Sequence, residues 1–241
     1  MQTTLSRIGR VFFFAENISR VQIVDCLPLK KKEGGGIVMK FWYSSTSPFA
    51  RKVYATILHH HLEEQVDIQK VQVAFDKNSP HNQDNPLGRI PAFQASNGEW
   101  LYGSDLISQY LDELGQETPL FPNGIEKWHI LNILSVAEGI LENTMPMVAE
   151  KIFHEKEHWW KDRHQQIEER NVRSLALLEK LATEQGLSLN IATIQVVALV
   201  DWWNLREEVI GFSLREHFPD LQEWTQKMNA TFDVLQASWD Y

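Results

Sequence analysis

Three short motifs in a fixed order, spread over residues 39–105, constrain this chain more than any bulk property. In the first, an apolar pentad, Met39-Lys-Phe-Trp-Tyr43, runs through Ser44-Ser45-Thr46-Ser47 into Pro48-Phe49-Ala-Arg51-Lys52. The second is Asn85-Pro86-Leu-Gly88-Arg89-Ile90-Pro91-Ala-Phe93, and the third is Leu101-Tyr-Gly103-Ser104-Asp105. Each can place backbone or hydroxyl donors around one small peptide-like anion.

The periodicity around these motifs predicts their scaffold. A strand is expected over Met39–Tyr43, a helix opening near Pro48, and a second strand around Val66 to Val73. A short loop or helix follows through Asn85. Strands are then expected near Ile90–Phe93 and Trp100–Tyr102, and a helix from Ser104 to about Leu114. This β-α-β, β-β-α order suggests a small mixed sheet of the thioredoxin type. After the turn-rich stretch Gln116-Glu-Thr-Pro119-Leu-Phe-Pro122-Asn-Gly124 the pattern is helical to the end. The expected fold class is therefore α/β plus all-α, with one domain at 39–115, a linker at 116–124 and an all-helical domain at 125–241. In the latter, Asn190 can cap the amide of Thr193, with Leu189 and Ile194 as a hydrophobic staple before an apolar run to Trp203.

Residues 1–38 share neither the periodicity nor the composition of the rest of the chain. The apolar cluster Val11-Phe-Phe-Phe14 is short and closed by Glu16, a poor secretory core. Lys30-Lys-Lys-Glu33-Gly34-Gly-Gly36 is what a purine-rich ribosome-binding site looks like when translated, so Met39 is the expected natural start of a bacterial protein. A genuine flexible extension is the alternative. Cys26 is the only cysteine, so no internal disulfide is possible, and residues from Met39 onward offer no thiolate for thiol-disulfide chemistry.

Charge excludes other classes. A formal charge of −9 with no Lys/Arg-rich block argues against a nucleic-acid partner, since such binding neutralises phosphates. No apolar run approaches the ~20 residues of a membrane helix. With 43% hydrophobic residues among 241, packed cores are expected.

Ser47 precedes Pro48, a residue suited to the first helical position, so free amides and the positive end of the helix dipole point at whatever lies beside Ser47. A thiolate would be stabilised there. Ser47 need only donate a hydrogen bond to sulfur, and it can cap the helix at the same time. Thr46 and Ser45 are close rivals for the role.

Together the three motifs resemble the glutathione-binding half of the glutathione S-transferase family, the closest flavour being small bacterial members with Thr-Ser-Pro-Phe at the active turn. Cysteine-type relatives carry Cys where Ser47 stands, so the resemblance implies activation of glutathione's own thiol, with glutathione as co-substrate and no metal. Tyr43 is a further rival for Ser47 by analogy with tyrosine-type members. Ile90-Pro91 resembles the family's cis-proline turn, whose backbone would pair with the cysteinyl part of glutathione; an ordinary trans proline at a strand start is the alternative. Ser104 would hold the γ-glutamyl carboxylate. Gly103 stands where the family has an acid for the γ-glutamyl ammonium, and Asp105 is the candidate substitute, although one helical residue turns it about 100° away.

The family also implies a cytoplasmic homodimer that conjugates small electrophiles in detoxification, with the second substrate between the domains against a wall of Trp128, Ile140 or Met145. Two alternatives stay open: a non-catalytic binding or regulatory protein, which Gly103 supports, and a glutathione-dependent isomerase or dehalogenase. Asn190 and Thr193 stand where the family's helix box has Ser or Thr and Asp, leaving open whether the reciprocal side-chain bond forms.

Two metal-like patterns are set aside. His154-Glu155-Lys156-Glu157-His158 matches a zinc-protease motif, with His164 beyond, but its neighbours Lys161, Asp162 and Arg163 mark a solvated helix end or interhelical connection. His59-His60-His61 cannot all face one ion on a helix and is expected at a solvated helix end. Of the nine tryptophans, Trp202 and Trp203 are expected in the core.

Overall fold

The computed structural model describes residues 38–71 and 76–239. The expectations for residues 1–37, including Cys26, and for the end of the second strand at Gln72 and Val73 lie outside the described residues.

Strand β1 (Met39–Tyr43) alternates as its sequence requires. Met39, Phe41 and Tyr43 pack on one face with Ala50, Val53 and Ile57 of helix α1 (Pro48–His59) and Ile107 and Leu111 of helix α3 (Ser104–Leu114). Trp42 packs on the other face with Val71 and Ala92. Strand β2 (Val66–Lys70) runs parallel to β1, and β3 (Ala92–Gln94) runs antiparallel to it and to β4 (Trp100–Tyr102), giving the order β2-β1-β3-β4. The registers Phe41↔Ile68, Phe41↔Phe93 and Phe93↔Leu101 centre the sheet on two buried phenylalanines. This is the thioredoxin-like sheet expected from the periodicity.

A short helix α2 (His81–Asp84) covers the second face of the sheet. Asp84 accepts from Lys40 Nζ and Trp42 Nε1, both at 2.7 Å, and the Tyr102 hydroxyl donates to the Asp84 carbonyl at 3.0 Å.

The remainder is helical: α4 (Glu126–Phe153), α5 (Lys161–Glu184), α6 (Ile191–Leu205), α7 (Glu207–Ile210), α8 (Leu214–His217), α9 (Pro219–Thr231) and α10 (Asp233–Ala237). Helix α6 is apolar nearly all round because it lies at the centre of the bundle, with Trp202 and Trp203 buried. Its start carries the full reciprocal cap: Asn190 Oδ1 accepts from the amides of Ala192 and Thr193 at 3.0 Å, and Thr193 Oγ1 accepts from the Asn190 amide at 2.9 Å. Threonine is short, but its hydroxyl reaches the cap amide, which closes the question left open by the sequence.

Two expectations need correction. His60 does not sit at a solvated helix end: it is buried beneath the chain that leads to α4, and its Nε2 lies 2.8 Å from Asp112 Oδ1. Asp112 also accepts from the amides of Leu120 and Phe121, at 2.7 and 3.0 Å, which closes that chain over the His60 ring. Ile140 is not a cleft wall; it is buried in the helical core with Ile133, Ala137 and Leu141. Met145 packs partly buried on the same core, whereas Trp128 is exposed near the start of α4.

Sheet and bundle are joined through α1. Arg51, almost wholly buried, donates from Nη1 to Asp201 of α6 at 2.7 Å and from Nη2 to the Leu235 carbonyl of α10 at 2.9 Å. Its Nε reaches Ser238 Oγ at 3.3 Å, and its guanidinium lies 4.4 Å from the centre of the Trp239 ring.

Candidate functional site

Ser47 is the N-cap of α1, extended at φ −97° and ψ 115°, with Pro48 in the first helical turn. Its Oγ accepts from the Ala50 amide at 3.2 Å, and its carbonyl accepts from Arg51 at 2.9 Å. The Ser47 amide donates to the Ser44 carbonyl at 3.0 Å, folding residues 44–47 into a tight turn. Capping uses the oxygen as an acceptor, so the hydroxyl hydrogen of Ser47, which has no acceptor among the described residues, stays available to a ligand. The side chain is largely buried but reaches solvent.

The rivals are placed differently. Thr46 is exposed, and its Oγ1 lies 3.4 Å from Ser44 Oγ. Ser45 is half-buried in the same turn. Tyr43 is 3% exposed in the sheet–helix core, with its ring 5.7 Å from Phe41 and 5.4 Å from Tyr54.

The Ile90–Pro91 peptide bond is cis, as its motif predicts. The loop that presents it is pinned by Asn85, whose Nδ2 donates to the Arg89 carbonyl at 2.6 Å and whose Oδ1 accepts from Leu87 at 2.9 Å. The Gly88 amide closes the same loop on the Asn85 carbonyl at 2.9 Å. Asn85 thus explains the first letter of the Asn-Pro-x-Gly-x-x-Pro spacing: a buried amide that satisfies the backbone of a turn bearing two prolines.

Gly103 is the N-cap of α3, at φ +97°, a backbone region that L side chains rarely adopt. A glycine cap leaves the first amides of α3 without a side-chain acceptor, and such amides have no partner inside the helix. Ser104, only 6% exposed, opens the helix, and its hydroxyl has no hydrogen-bond partner among the described residues. A donor-rich, uncapped helix start with an unengaged hydroxyl suits a carboxylate.

Asp105 does not stand free. Its Oδ1 contacts Lys52 Nζ, and the same ammonium meets Glu138 Oε1 of α4 at 2.6 Å. The Lys52 side chain is 0% exposed, against 39% for Asp105 and 19% for Glu138. Burial pushes the Glu138 carboxyl above its ordinary value; Lys52 pulls it back, and Asp105 raises it further. Sequence inspection missed Lys52 and Glu138. The available signal was an Arg51-Lys52 pair set between the buried apolar positions Ala50 and Val53 of an amphipathic helix, where cations are found only when paired.

The zinc-like motif is an interhelical connection. Helix α4 ends at Phe153, residues 156–158 form a 3₁₀ turn, and His164 lies on α5, where its Nε2 meets Glu150 Oε2 at 2.9 Å. Among the described residues no group of three or more His, Cys, Asp or Glu side chains is arranged to hold a metal ion, and no helix is long and apolar enough to cross a membrane. A small cavity of about 20 Å³ lined by Met147, Asn171, Trp203 and Phe212 lies in the helical bundle.

Residues 42–119 match the family described as glutathione S-transferase, N-terminal domain. An Escherichia coli protein described as the uncharacterized GST-like protein YibF is 27% identical over 196 residues, spanning 77% of this chain and 92% of that protein. Glutathione S-transferase U27 of Arabidopsis thaliana is 23% identical over 203 residues, spanning 79% of this chain and 82% of that one. Among solved structures, a glutathione transferase family member from Pseudomonas fluorescens with bound glutathione has a TM-score of 0.75 at 27% identity, covering 83% of this chain and 98% of its own.

Proposed function

Since this chain is a glutathione S-transferase family protein, we propose that it binds glutathione across the starts of α1 and α3 and activates its thiol for attack on a small electrophile. The observation that carries this reading is the Ser47 hydroxyl, which caps α1 through its oxygen yet keeps its hydrogen for an anion in front of the helix. The Pseudomonas relative that binds glutathione supports the ligand assignment.

In this mechanism the γ-glutamyl carboxylate sits on the Ser104 hydroxyl and the free amides of α3. The backbone at Ile90, beside cis Pro91, pairs with the cysteinyl part of the tripeptide as an added strand would. The thiol then lies at the α1 terminus and loses its proton to solvent. The hydrogen bond from Ser47 and the helix dipole favour the resulting thiolate. Held beside a bound electrophile, the sulfur forms the new S–C bond as the electrophile's leaving group departs with its electron pair, or as the electron pair of an activated double bond moves onto the acceptor. A cytoplasmic, homodimeric detoxifying enzyme is the accompanying physiological reading.

A non-catalytic glutathione-binding protein is the second reading, favoured by Gly103, where no acid faces the γ-glutamyl ammonium. Calorimetric titration of glutathione into the protein, with Ser47→Ala and Ser104→Ala alongside, tests the assignment. Binding lost mainly with Ser104→Ala, together with turnover of a model electrophile lost mainly with Ser47→Ala, is the expected pattern. Absence of glutathione binding to the unaltered protein overturns it, and binding without turnover of any electrophile in a broad screen gives the second reading.

A further inference from the structure

We propose that Arg51 is a positioning residue through which the α10 segment holds the first turn of α1. Its guanidinium is gripped by α10 and the two residues after it, and that grip aims Ser47 and the start of the helix. The proposal rests on the reading that Ser47 faces the thiol of glutathione, and it gives a segment remote in sequence a part in that chemistry.

The backbone supplies the first link. The Ala50 amide donates to Ser47 Oγ at 3.2 Å, and the Arg51 amide donates to the Ser47 carbonyl at 2.9 Å. Ser47 and Arg51 are thus the two ends of one hydrogen-bonded turn. A shift of Arg51 along or about the helix axis is carried to Ser47.

The side chain supplies the second. Toward the sheet, α1 buries Ala50, Val53 and Ile57. Such apolar contacts are non-directional, so they set how closely the helix lies without fixing its slide or rotation. Arg51, 2% exposed, reaches instead into the bundle, and its planar fork donates in three directions. The acceptors are Asp201 of α6 at 2.7 Å, the Leu235 carbonyl of α10 at 2.9 Å and Ser238 Oγ at 3.3 Å. The Trp239 ring lies 4.4 Å from the guanidinium carbon. Ser238 also donates to the Leu235 carbonyl at 3.0 Å, and both residues are buried, so the grip is ordered and dry.

The choice of arginine points the same way. An ammonium would satisfy Asp201 by itself. The remaining donors of the guanidinium are taken up by the Leu235 carbonyl and the Ser238 hydroxyl, so what only an arginine can do here it does with the α10 segment.

Arg51→Lys tests this, because it keeps a cation for Asp201 and removes the fork. The first readout is the fraction of bound glutathione present as thiolate, followed by ultraviolet absorbance across pH. A helix terminus turned from the sulfur corresponds to a thiolate fraction about two- to fivefold lower at neutral pH. Glutathione affinity, measured where the bound thiol is protonated in both proteins, is expected to stay as it was, since α3 and the Pro91 loop still hold the tripeptide. An unchanged thiolate fraction overturns the proposal, and so does weaker binding of the protonated thiol, the mark of a generally loosened fold. The second readout needs no ligand: in hydrogen exchange the Ala50 and Arg51 amides should exchange faster in Arg51→Lys, with β1 as protected as before. No acceleration, or acceleration throughout the sheet, overturns the coupling. Should Arg51→Lys fail to fold, Ser238→Ala, which removes only the Nε acceptor, carries both readouts with the same expected directions and the same overturning results. Failure of the unaltered protein to bind glutathione would overturn the glutathione assignment, while the exchange result would still decide whether the α10 segment holds the Ser47 turn.

Discussion

The Arg51 guanidinium of α1 meets the Asp201 carboxylate of α6 at 2.7 Å with both side chains largely out of solvent, so the helix capped by Ser47 is fixed to the centre of the bundle by a buried ion pair. Asp201 also accepts from Asn229 Nδ2 at 3.1 Å, which orients its carboxylate. Removing one partner leaves the other buried and uncompensated. Asp201→Ala is expected to lower stability by about 3 to 5 kcal/mol, measured by urea denaturation near neutral pH. Replacing both partners by apolar residues, as in Arg51→Met/Asp201→Leu, should recover most of that loss, and no recovery would show that the pair is not the source.

Under the proposed function Ser47 has two separable duties. Ser47→Ala removes the cap on the Ala50 amide and should cost about 1 kcal/mol of stability. In the proposed site it would also remove the hydrogen bond to sulfur, which corresponds to about 1.5 to 3 kcal/mol of thiolate stabilisation. The apparent pKa of bound glutathione, followed by thiolate absorbance in the ultraviolet, should therefore rise in Ser47→Ala. An unchanged thiol pKa would transfer the role to Thr46 or Ser45.

Gly103 and Gly115 flank α3 and should resist substitution for opposite reasons. A Cβ at Gly103 meets nothing within 4 Å, but the backbone stands at φ +97°, so Gly103→Ala should lose about 1 to 2 kcal/mol from conformational strain alone. A Cβ at Gly115 would lie 2.0 Å from His60 Nδ1, and the ring is held by Asp112 and cannot swing away. Gly115→Ala should lose about 3 kcal/mol or more. Adding His60→Ala should lessen the loss at position 115 and leave that at position 103 unchanged, as thermal melts of the paired variants would report.

The α4–α5 connection carries an acid-sensitive hold. Glu150 lies below the usual carboxylate range because the Trp160 amide donates to it at 2.7 Å and His164 bonds it at 2.9 Å. A carboxyl depressed in the folded state binds fewer protons there than in the unfolded chain. Its stabilisation is thus present above the ordinary glutamate value of about 4.3 and is lost as pH falls through the folded value. Glu138 has the opposite sign: its raised carboxyl withdraws stability as pH climbs from the ordinary value through the folded one. Melting temperatures should therefore fall less steeply on acidification in Glu150→Gln than in the unaltered protein. Equal slopes would mean that Glu150 is not a significant part of acid unfolding.

What could be read directly from the chain was local. The strand Met39–Tyr43, the helix Ser104–Leu114 and the cap at Asn190 each follow from a few adjacent residues, because alternation and capping act over one or two turns of backbone, whereas the cis bond before Pro91 was expected from the family resemblance. Their order was enough to give the sheet. The strand after Pro91 is shorter than its apolar pattern suggests, Ala92–Gln94 rather than a run from Ile90, because hydrogen-bond pairing rather than side-chain pattern decides where a strand begins.

Tertiary structure decided the charges. Lys52 finds Glu138 across 86 residues and Arg51 finds Asp201 across 150, distances over which no periodicity operates. His60 looks like a surface residue of a histidine run until Asp112 and the chain beyond α3 close over it, and Ile140 looks like a cleft residue until the bundle buries it. A charged or amphipathic side chain can face water or a partner with equal local propensity. Which it does depends on whether burial brings an opposite charge within reach, and only the packing of helices far apart in sequence determines that.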